Sequence, residues 1–247
     1  MDNMEVIDKT KSETEFIVGG YYFVQGSKLQ SWMNAKILPP FIWSASRCLC
    51  EKVPDAWIFP WNNNPDPREE RNRYQSALGL NNDEFKELQS QFDKLFDVDE
   101  FGYPNVFMSR TLAEDFYARY FYKLPNIKLI SISLPEDEVA NFIKEYKLPK
   151  GAGENGITKK LRQHQILETD GICLGFEVLG YDYADFHSLI CGSLEEELVS
   201  KYKIKFNQFG LIDRFESTIS VVRDIREGTL FPEEGYWASW LVSEYTL

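Results

Sequence analysis

One short stretch of this 247-residue chain holds the residue types that nucleophilic catalysis needs. His187 follows the carboxylates Asp182 and Asp185 and precedes the nucleophiles Ser188 and Cys191. An imidazole can take the proton of a hydroxyl or a thiol, and a carboxylate can orient that imidazole. The stretch therefore permits a hydrolase that uses His187 with Cys191 or Ser188.

The same spacing also has a structural interpretation. Cys191 lies four residues after His187, so a helix here would place both side chains on one face. Thiol proteases instead bring cysteine and histidine together from distant segments. A histidine can also order a strand-to-helix corner through hydrogen bonds to the backbone. We favour this structural role and keep the hydrolase as an alternative.

Two further motifs are incomplete. Gly151, Gly153 and Gly156 match G-x-G-x-x-G, but the dinucleotide fingerprint follows a strand, whereas a predicted helix and a Leu-Pro breaker precede these glycines. Residues 97–102 begin like a calcium loop, yet the twelfth position, which should be glutamate, is Met108. We expect loops or turns at both places and no cofactor.

The histidines and cysteines also lack the spacing of a metal site. His164, the second of the two histidines, lies in a basic stretch that we expect to be solvated. The absence of C-x-x-C pairs argues against zinc and against a disulfide framework. We therefore expect no metal and four reduced, partly buried thiols, with the first two on one face of a strand. These thiols are Cys48, Cys50, Cys173 and Cys191.

Hydrophobic periodicity predicts a mixed α+β fold. Apolar and β-branched runs predict strands at 15–24, 126–134, 171–182 and 237–245, with a shorter strand and turn at 204–212. Amphipathic stripes predict helices at 82–97, 109–122, 135–146, 194–202 and 213–225. In the last of these we expect Phe215, Ile219 and Val222 to point inward. Strands and helices alternate after residue 126, which indicates a central sheet covered by helices.

Local sequence signals predict where two helices begin and whether the chain divides into domains. Asn81 with Glu84, and Ser193 with Glu196, have the spacing of capping boxes. No shift in composition divides the chain, so we predict one compact domain over residues 1–247. The Asn- and Pro-rich stretch 62–67 is the best candidate for a weak seam.

The charge balance narrows the class of partner. The chain has 27 Lys and Arg against 39 Asp and Glu, a formal net charge of −12. Such a surface repels nucleic acid and anionic lipid and favours encounter with a basic protein. No apolar run is long enough to span a bilayer, and the polar first residues do not look like a secretory signal, so we expect a cytoplasmic protein.

The second half of the chain resembles the immunity proteins encoded beside bacterial polymorphic toxins. In that pattern the histidine stretch reads F-H-S-W-L-C-N-x-L-E, and this chain has Leu189 and Gly192 where the pattern has Trp and Asn. The resemblance covers about residues 129–245. The stretches that carry it are Leu129–Leu134, Gly175–Asp182, Phe186–Leu194, Phe206–Ile212 and Trp237–Tyr245.

The resemblance implies an inhibitor that binds a toxin and performs no chemistry of its own. The expected partner is a basic toxin domain, because many toxins are nucleases with basic clefts. We expect contact through an exposed acidic and aromatic turn and through a second acidic patch that leads into the last strand. The expected contact residues are Tyr181, Asp182, Tyr183, Asp185, His187, Glu233 and Glu234. A non-catalytic adaptor with no toxin partner is a further alternative.

Overall fold

The computed structural model describes most of the chain. The described residues are 14–46, 48–53, 67–146, 156–182, 185–230 and 235–247, with backbone only for 67–71 and 182. The seam predicted at 62–67 falls on residues 62–66, which lie outside the described residues, and on Pro67, which begins a helix.

The described residues form ten strands in two antiparallel sheets. Eight strands make the main sheet, in the order β5-β6-β1-β7-β10-β8-β9, and β4 also pairs with β1. The small sheet pairs β2 with β3. The strands are β1 (Phe16–Gln25), β2 (Ser27–Lys28), β3 (Phe41–Ile42), β4 (Glu51–Val53), β5 (Phe101–Gly102), β6 (Val106–Phe107), β7 (Ile127–Pro135), β8 (Ile172–Asp182), β9 (Asp185–Ser188) and β10 (Tyr236–Tyr245).

Seven α-helices cover this sheet within the described residues. They are α1 (Pro67–Leu78), α2 (Asn82–Asp97), α3 (Arg110–Phe116), α4 (Glu136–Glu145), α5 (Gly156–Arg162), α6 (Glu195–Tyr202) and α7 (Phe215–Arg226). A π-helical turn (Tyr117–Phe121) extends α3, and a 3-10 turn (Leu189–Gly192) follows β9. The predicted mixed α+β fold, a single domain with helices on a central sheet, is confirmed.

Both faces of the main sheet are buried. On one face, Tyr22, Ile132 and Trp240 pack with residues of α4 and α5. On the other face, Phe23 belongs to a cluster with α2 and α3, while Trp237 belongs to a cluster with α6 and α7. Alternate residues of each strand thus enter opposite cores, which explains why these strands read as nearly continuous apolar runs.

The main sheet curls until strands far apart in its order meet. Lys52 of β4 lies at one side of the sheet and Asp185 of β9 at the other, yet their side chains are 2.8 Å apart. In the segment that precedes β4, the Ser44 hydroxyl and the Ala45 amide both donate to the Glu177 carboxylate of β8. We call these contacts the sheet junction, and they bring the turn before β4 next to β9.

Two local predictions are wrong. Ser193 does not cap α6, because it has a left-handed φ of 57° and the N-cap residue is Leu194. Ile219, predicted to point inward, is 52% exposed, because the buried stripe of α7 runs through Thr218, Val221, Val222 and Ile225 instead.

Among the described residues, no helix is both long enough and apolar enough to cross a membrane.

Candidate functional site

The turn before β4 is built from its own hydrogen bonds. The Ser46 amide donates to the Ser44 hydroxyl at 2.9 Å, and the Cys48 amide donates to the Ser46 hydroxyl at 3.3 Å. The amides of Leu49 and Cys50 both donate to the Ser46 carbonyl, at 3.1 and 3.0 Å. This turn buries Cys50 and leaves Cys48 exposed. The prediction that both thiols share one face of a strand is therefore wrong.

The sheet junction places this turn against the residues that follow β9. Cys191 and His187 are the neighbours whose side chains act on the Cys48 thiol. The Ser46 hydroxyl lies 3.9 Å from the Cys191 sulfur. We call Ser46, Cys48, His187 and Cys191 the thiol–imidazole cluster.

The two thiols of this cluster differ in acidity. Contact with the Cys191 thiol, and then with the His187 imidazole, holds the pKa of Cys48 well below its ordinary value. The proximity of Cys48, together with burial, raises the pKa of Cys191. A thiolate is the reactive form of cysteine, and here Cys48 is both the acidic thiol and the exposed one.

A buried polar network fixes the turn beneath the cluster. Glu177 is 2% exposed, and its Oε2 accepts the Ala45 amide at 3.1 Å. Burial raises the pKa of Glu177, although its hydrogen bonds and the positive charge of Lys52 oppose that shift. The ion pair between Lys52 and Asp185 lies in the same interior. The turn that carries Cys48 is therefore held at both ends by buried groups.

The structure brings to His187 a different nucleophile from the two that the hydrolase alternative names. Ser188 is 2% exposed, and the raised pKa of Cys191 keeps that thiol protonated. The partner that the fold brings to His187 is Cys48, which comes from a distant segment. Sequence spacing gave no signal for this pairing. The general tendency of thiol sites to combine distant cysteine and histidine residues was the only available hint.

The two described side chains of the predicted contact turn are buried. Tyr181 is 1% exposed, and its ring centroid lies 4.5 Å from that of Tyr146 and 4.8 Å from that of Phe186. Asp185 is 9% exposed and forms the buried pair with Lys52. The expectation that Tyr181 and Asp185 are exposed contact residues is therefore wrong, because both side chains close the core.

The remaining predicted contact residues have different outcomes. His187 is half-buried within the thiol–imidazole cluster. Asp182 ends β8, and its side chain is outside the described residues, as are Tyr183, Glu233 and Glu234. Contact by these four residues stays a prediction.

A second surface feature lies beside the cluster. Trp32 is 51% exposed and Phe41 is 40% exposed, on the segment that runs from β2 through β3. The Asn34 amide donates to Glu196 at 2.9 Å, which ties this segment to the first turn of α6. We call Trp32, Phe41, Glu196 and Glu197 the aromatic–acidic surface. Below it, Ile190 and Cys191 pack with the apolar residues of the same segment.

The other histidine is exposed, as predicted. His164 is 53% exposed, and its Nε2 lies 2.9 Å from a carboxylate oxygen of Glu136. In the described part of the chain, no group of three or more His, Cys, Asp or Glu side chains is arranged to hold a metal ion.

A comparison with known proteins adds no relative from which a function could be inferred, so the functional proposal is based on the geometry described above. No protein-family model, curated protein or solved structure matches the chain.

Proposed function

We propose that this chain is an immunity protein that binds and neutralises a secreted bacterial toxin in the cytoplasm. The observation that carries the proposal is the large exposed fraction of Trp32, 51%, beside the acidic first turn of α6. Tryptophan is enriched among the few residues that dominate binding energy at protein interfaces. The resemblance of residues 129–245 to immunity proteins supports the same conclusion.

The segment that carries the two aromatic side chains of this surface is packed around its own apolar cluster. Met33, Leu38 and Ile42 are 6%, 4% and 2% exposed and form an apolar cluster within the segment that carries Trp32 and Phe41. Because this cluster is packed before a partner arrives, binding would order few additional side chains. Less ordering on binding leaves more of the contact energy as affinity.

The charge of this surface determines the kind of partner. Glu196 and Glu197 lie exposed in the first turn of α6, and the whole chain carries a net charge of −12. Complementary charge speeds encounter with a basic protein and disfavours acidic ones. The partner we propose is therefore a basic toxin domain, and we propose neither nucleic acid nor membrane as a ligand.

The proposed function is the one that the sequence predicts, but the proposed contact surface is a different one. Tyr181 and Asp185 are committed to the core, so their side chains cannot supply the main contacts. Trp32 and Phe41 offer aromatic area that solvent already reaches. Asn34, two residues after Trp32, ties this segment to Glu196 of α6.

The test is binding to the toxin domains encoded next to this chain. We expect one of them to bind with nanomolar affinity and to be neutralised when both proteins are produced in the same cell. Trp32→Ala should weaken binding at least about 30-fold, since truncating a hot-spot residue costs about 2 kcal/mol or more. Calorimetry or surface-based kinetics would measure the loss.

Tyr122→Ala is the matched control. Tyr122 is 54% exposed, close to the value for Trp32, but it follows the π-helical turn that extends α3. It should leave affinity within about 2-fold of wild type, as for a surface residue outside the contact. Failure to bind or neutralise any neighbouring toxin domain would reject the proposal. Equal losses for the two variants would reject this surface.

A further inference from the structure

We infer that Cys48 and Cys191 form an oxidisable dithiol, in which Cys48 reacts with a hydroperoxide and Cys191 then closes a disulfide. This inference goes beyond the proposed function and does not depend on it. It rests on two cysteines from distant segments that meet at one hydroxyl: Ser46 Oγ accepts the Cys48 amide at 3.3 Å and lies 3.9 Å from the Cys191 sulfur, with the His187 imidazole beside Cys48. Such a pair combines an attacking and a resolving cysteine.

The exposure of the two thiols assigns their order of reaction. Cys48 is exposed, so a small oxidant reaches it directly. Cys191 is half-buried behind it, against the Ser46 hydroxyl. The low pKa of Cys48 agrees with this order, because the thiolate is the form that attacks a peroxide. The pKa of Cys191 is raised beside Cys48, so Cys191 is the protonated thiol of the pair when Cys48 reacts.

The chemistry balances in two steps. The Cys48 thiolate attacks one peroxide oxygen, the O–O bond breaks, and Cys48 becomes a sulfenic acid while the other oxygen leaves as hydroxide or alkoxide and takes up a proton. The Cys191 sulfur then attacks the Cys48 sulfur, an S–S bond forms and the S–O bond breaks. The thiol proton of Cys191 leaves with the hydroxyl group as water. Two thiols are oxidised and one hydroperoxide is reduced.

The backbone of the turn favours this reaction over acyl transfer. An acyl-transfer site needs amide donors aimed at the developing oxyanion. The amides of Ala45, Ser46 and Cys48 instead donate to Glu177 and to the hydroxyls of Ser44 and Ser46. Peroxide reduction by a thiolate needs an accessible sulfur and a second thiol, and both are present here.

His187 is a positioning residue in this scheme. Its ring contacts the Cys48 thiol and favours the thiolate. Among the described residues, the titratable groups that act on Cys48 are Cys191 and His187. His187→Gln should therefore slow oxidation severalfold at pH 6. The loss should shrink at pH 9, where an ordinary thiol with a pKa of about 8.5 already ionises without help. A purely structural role would slow the reaction equally at both pH values.

The experiment is peptide mapping of the reduced full-length protein after treatment with hydrogen peroxide. Wild type should lose two hydrogen atoms and yield one peptide pair joined by Cys48 and Cys191, which dithiothreitol separates. Cys191→Ser should instead stop at the Cys48 sulfenic acid, which dimedone captures as a stable adduct. Cys48→Ser should form neither product.

Cys173→Ser is the matched control, because Cys173 is half-buried like Cys191 and lies in β8, outside the cluster. It should be oxidised at the wild-type rate and give the same disulfide. Retained circular dichroism would show that each variant is folded, and mapping of wild type needs no variant at all. Wild-type protein that oxidises at Cys173 as fast as at Cys48, or that never joins Cys48 to Cys191, would overturn the inference.

Discussion

Lys52 places an ammonium group inside the sheet junction, where its side chain is 1% exposed. Its Nζ lies 2.8 Å from Asp185 and above the rings of Tyr22 and Phe186, at 5.4 and 5.5 Å from their centroids. Asp185 also accepts the Phe186 amide at 2.8 Å. The charge pair is thus largely buried, and each charge compensates the other.

Lys52→Met should destabilise the protein strongly, because methionine fills the space but leaves Asp185 buried without its cation. Breaking a buried pair from one side costs about 3–5 kcal/mol. Urea unfolding followed by tryptophan fluorescence would measure the change in the free energy of unfolding, without the screening that an ionic denaturant adds.

The double variant Lys52→Met/Asp185→Asn is the control for that prediction. It removes both charges and keeps an acceptor for the Phe186 amide. It should be clearly more stable than Lys52→Met alone, since the uncompensated charge is gone. A double variant as unstable as the single one would show that Lys52 acts through packing and not through its charge.

Residue-scale predictions from the sequence succeeded where the interaction was local. The capping box of Asn81 and Glu84 is present, with both reciprocal hydrogen bonds, because its members lie within one helical turn. The box predicted for Ser193 and Glu196 fails, because the preceding 3-10 turn forces Ser193 into a left-handed conformation. The contact of Cys48 with His187 depends on how the sheet curls, which residue spacing does not encode.

At the scale of elements, Glu138 links α4 to α7 and β10. Arg226 donates to both carboxylate oxygens of Glu138, at 3.1 and 2.8 Å, and the Tyr236 hydroxyl donates to one of them. Arg226 also donates to the Trp237 carbonyl at 2.8 Å. Burial alone would raise the pKa of Glu138, but these hydrogen bonds outweigh it and the pKa is lowered.

Glu138→Gln should therefore destabilise the protein in a pH-dependent way. A carboxylate whose pKa falls on folding adds stability above its unfolded pKa, about 4.3, and loses it as pH drops through the lower folded value. The variant should be about 1–3 kcal/mol less stable at pH 7, the range for hydrogen bonds to charged groups. The two proteins should converge below pH 4 in parallel urea titrations.

Glu145→Gln provides a comparison on the same helix. Glu145 is exposed and its carboxylate lies 3.6 Å from Lys144, a surface pair worth at most about 1 kcal/mol. It should change stability little at either pH. If Glu138→Gln lost the same stability at pH 3 as at pH 7, the ionised form of Glu138 would not be what links these elements.

The rejected glycine motif is explained by helix packing. Gly156, its last glycine, begins α5 against Gly102 of β5, and a Cβ on Gly156 would lie 2.8 Å from the Gly102 Cα. Gly102, the sixth position of the rejected calcium motif, is on the other side of the same contact. Both glycines therefore allow two backbones to approach, and this need accounts for them without any ligand.

The sequence predicted long elements better than short ones. The helix at 82–97 has the predicted bounds, because an apolar stripe over four turns and a local cap define it. Helix α5 was missed, because seven residues are too few for a clear period and tertiary contacts hold it. Ile157 and Leu161 of α5 are both 0% exposed. On α7, Thr218 occupies the buried stripe because Ser239 accepts its hydroxyl, a pairing that periodicity cannot reveal.

At the scale of the whole molecule, the curl of the sheet determines which distant segments lie next to each other at the surface. It brings the turn of Cys48 to β9 and ties the segment of Trp32 to α6 through Asn34 and Glu196. The apolar pattern specified which residues are buried but not which distant strands meet. The fold class was therefore predictable, whereas the candidate site required the arrangement in three dimensions.

Charge and packing on the aromatic–acidic surface should affect different steps of toxin binding. Glu196→Gln/Glu197→Gln removes two negative charges, so it should lower the association rate and flatten its dependence on salt. Trp32→Ala removes packed area, so it should act mainly by raising the dissociation rate. Both effects can be read from kinetics at several salt concentrations.

Glu87→Gln/Asp93→Asn is the matched charge control. It removes the same two charges from exposed positions on α2, which belongs to a different part of the fold. Steering by the local surface predicts a smaller loss of association rate for this pair than for Glu196 and Glu197, since charges beyond a Debye length of about 8 Å are screened. Equal losses would mean that overall net charge attracts the toxin, and the acidic turn of α6 would have no special part in the encounter.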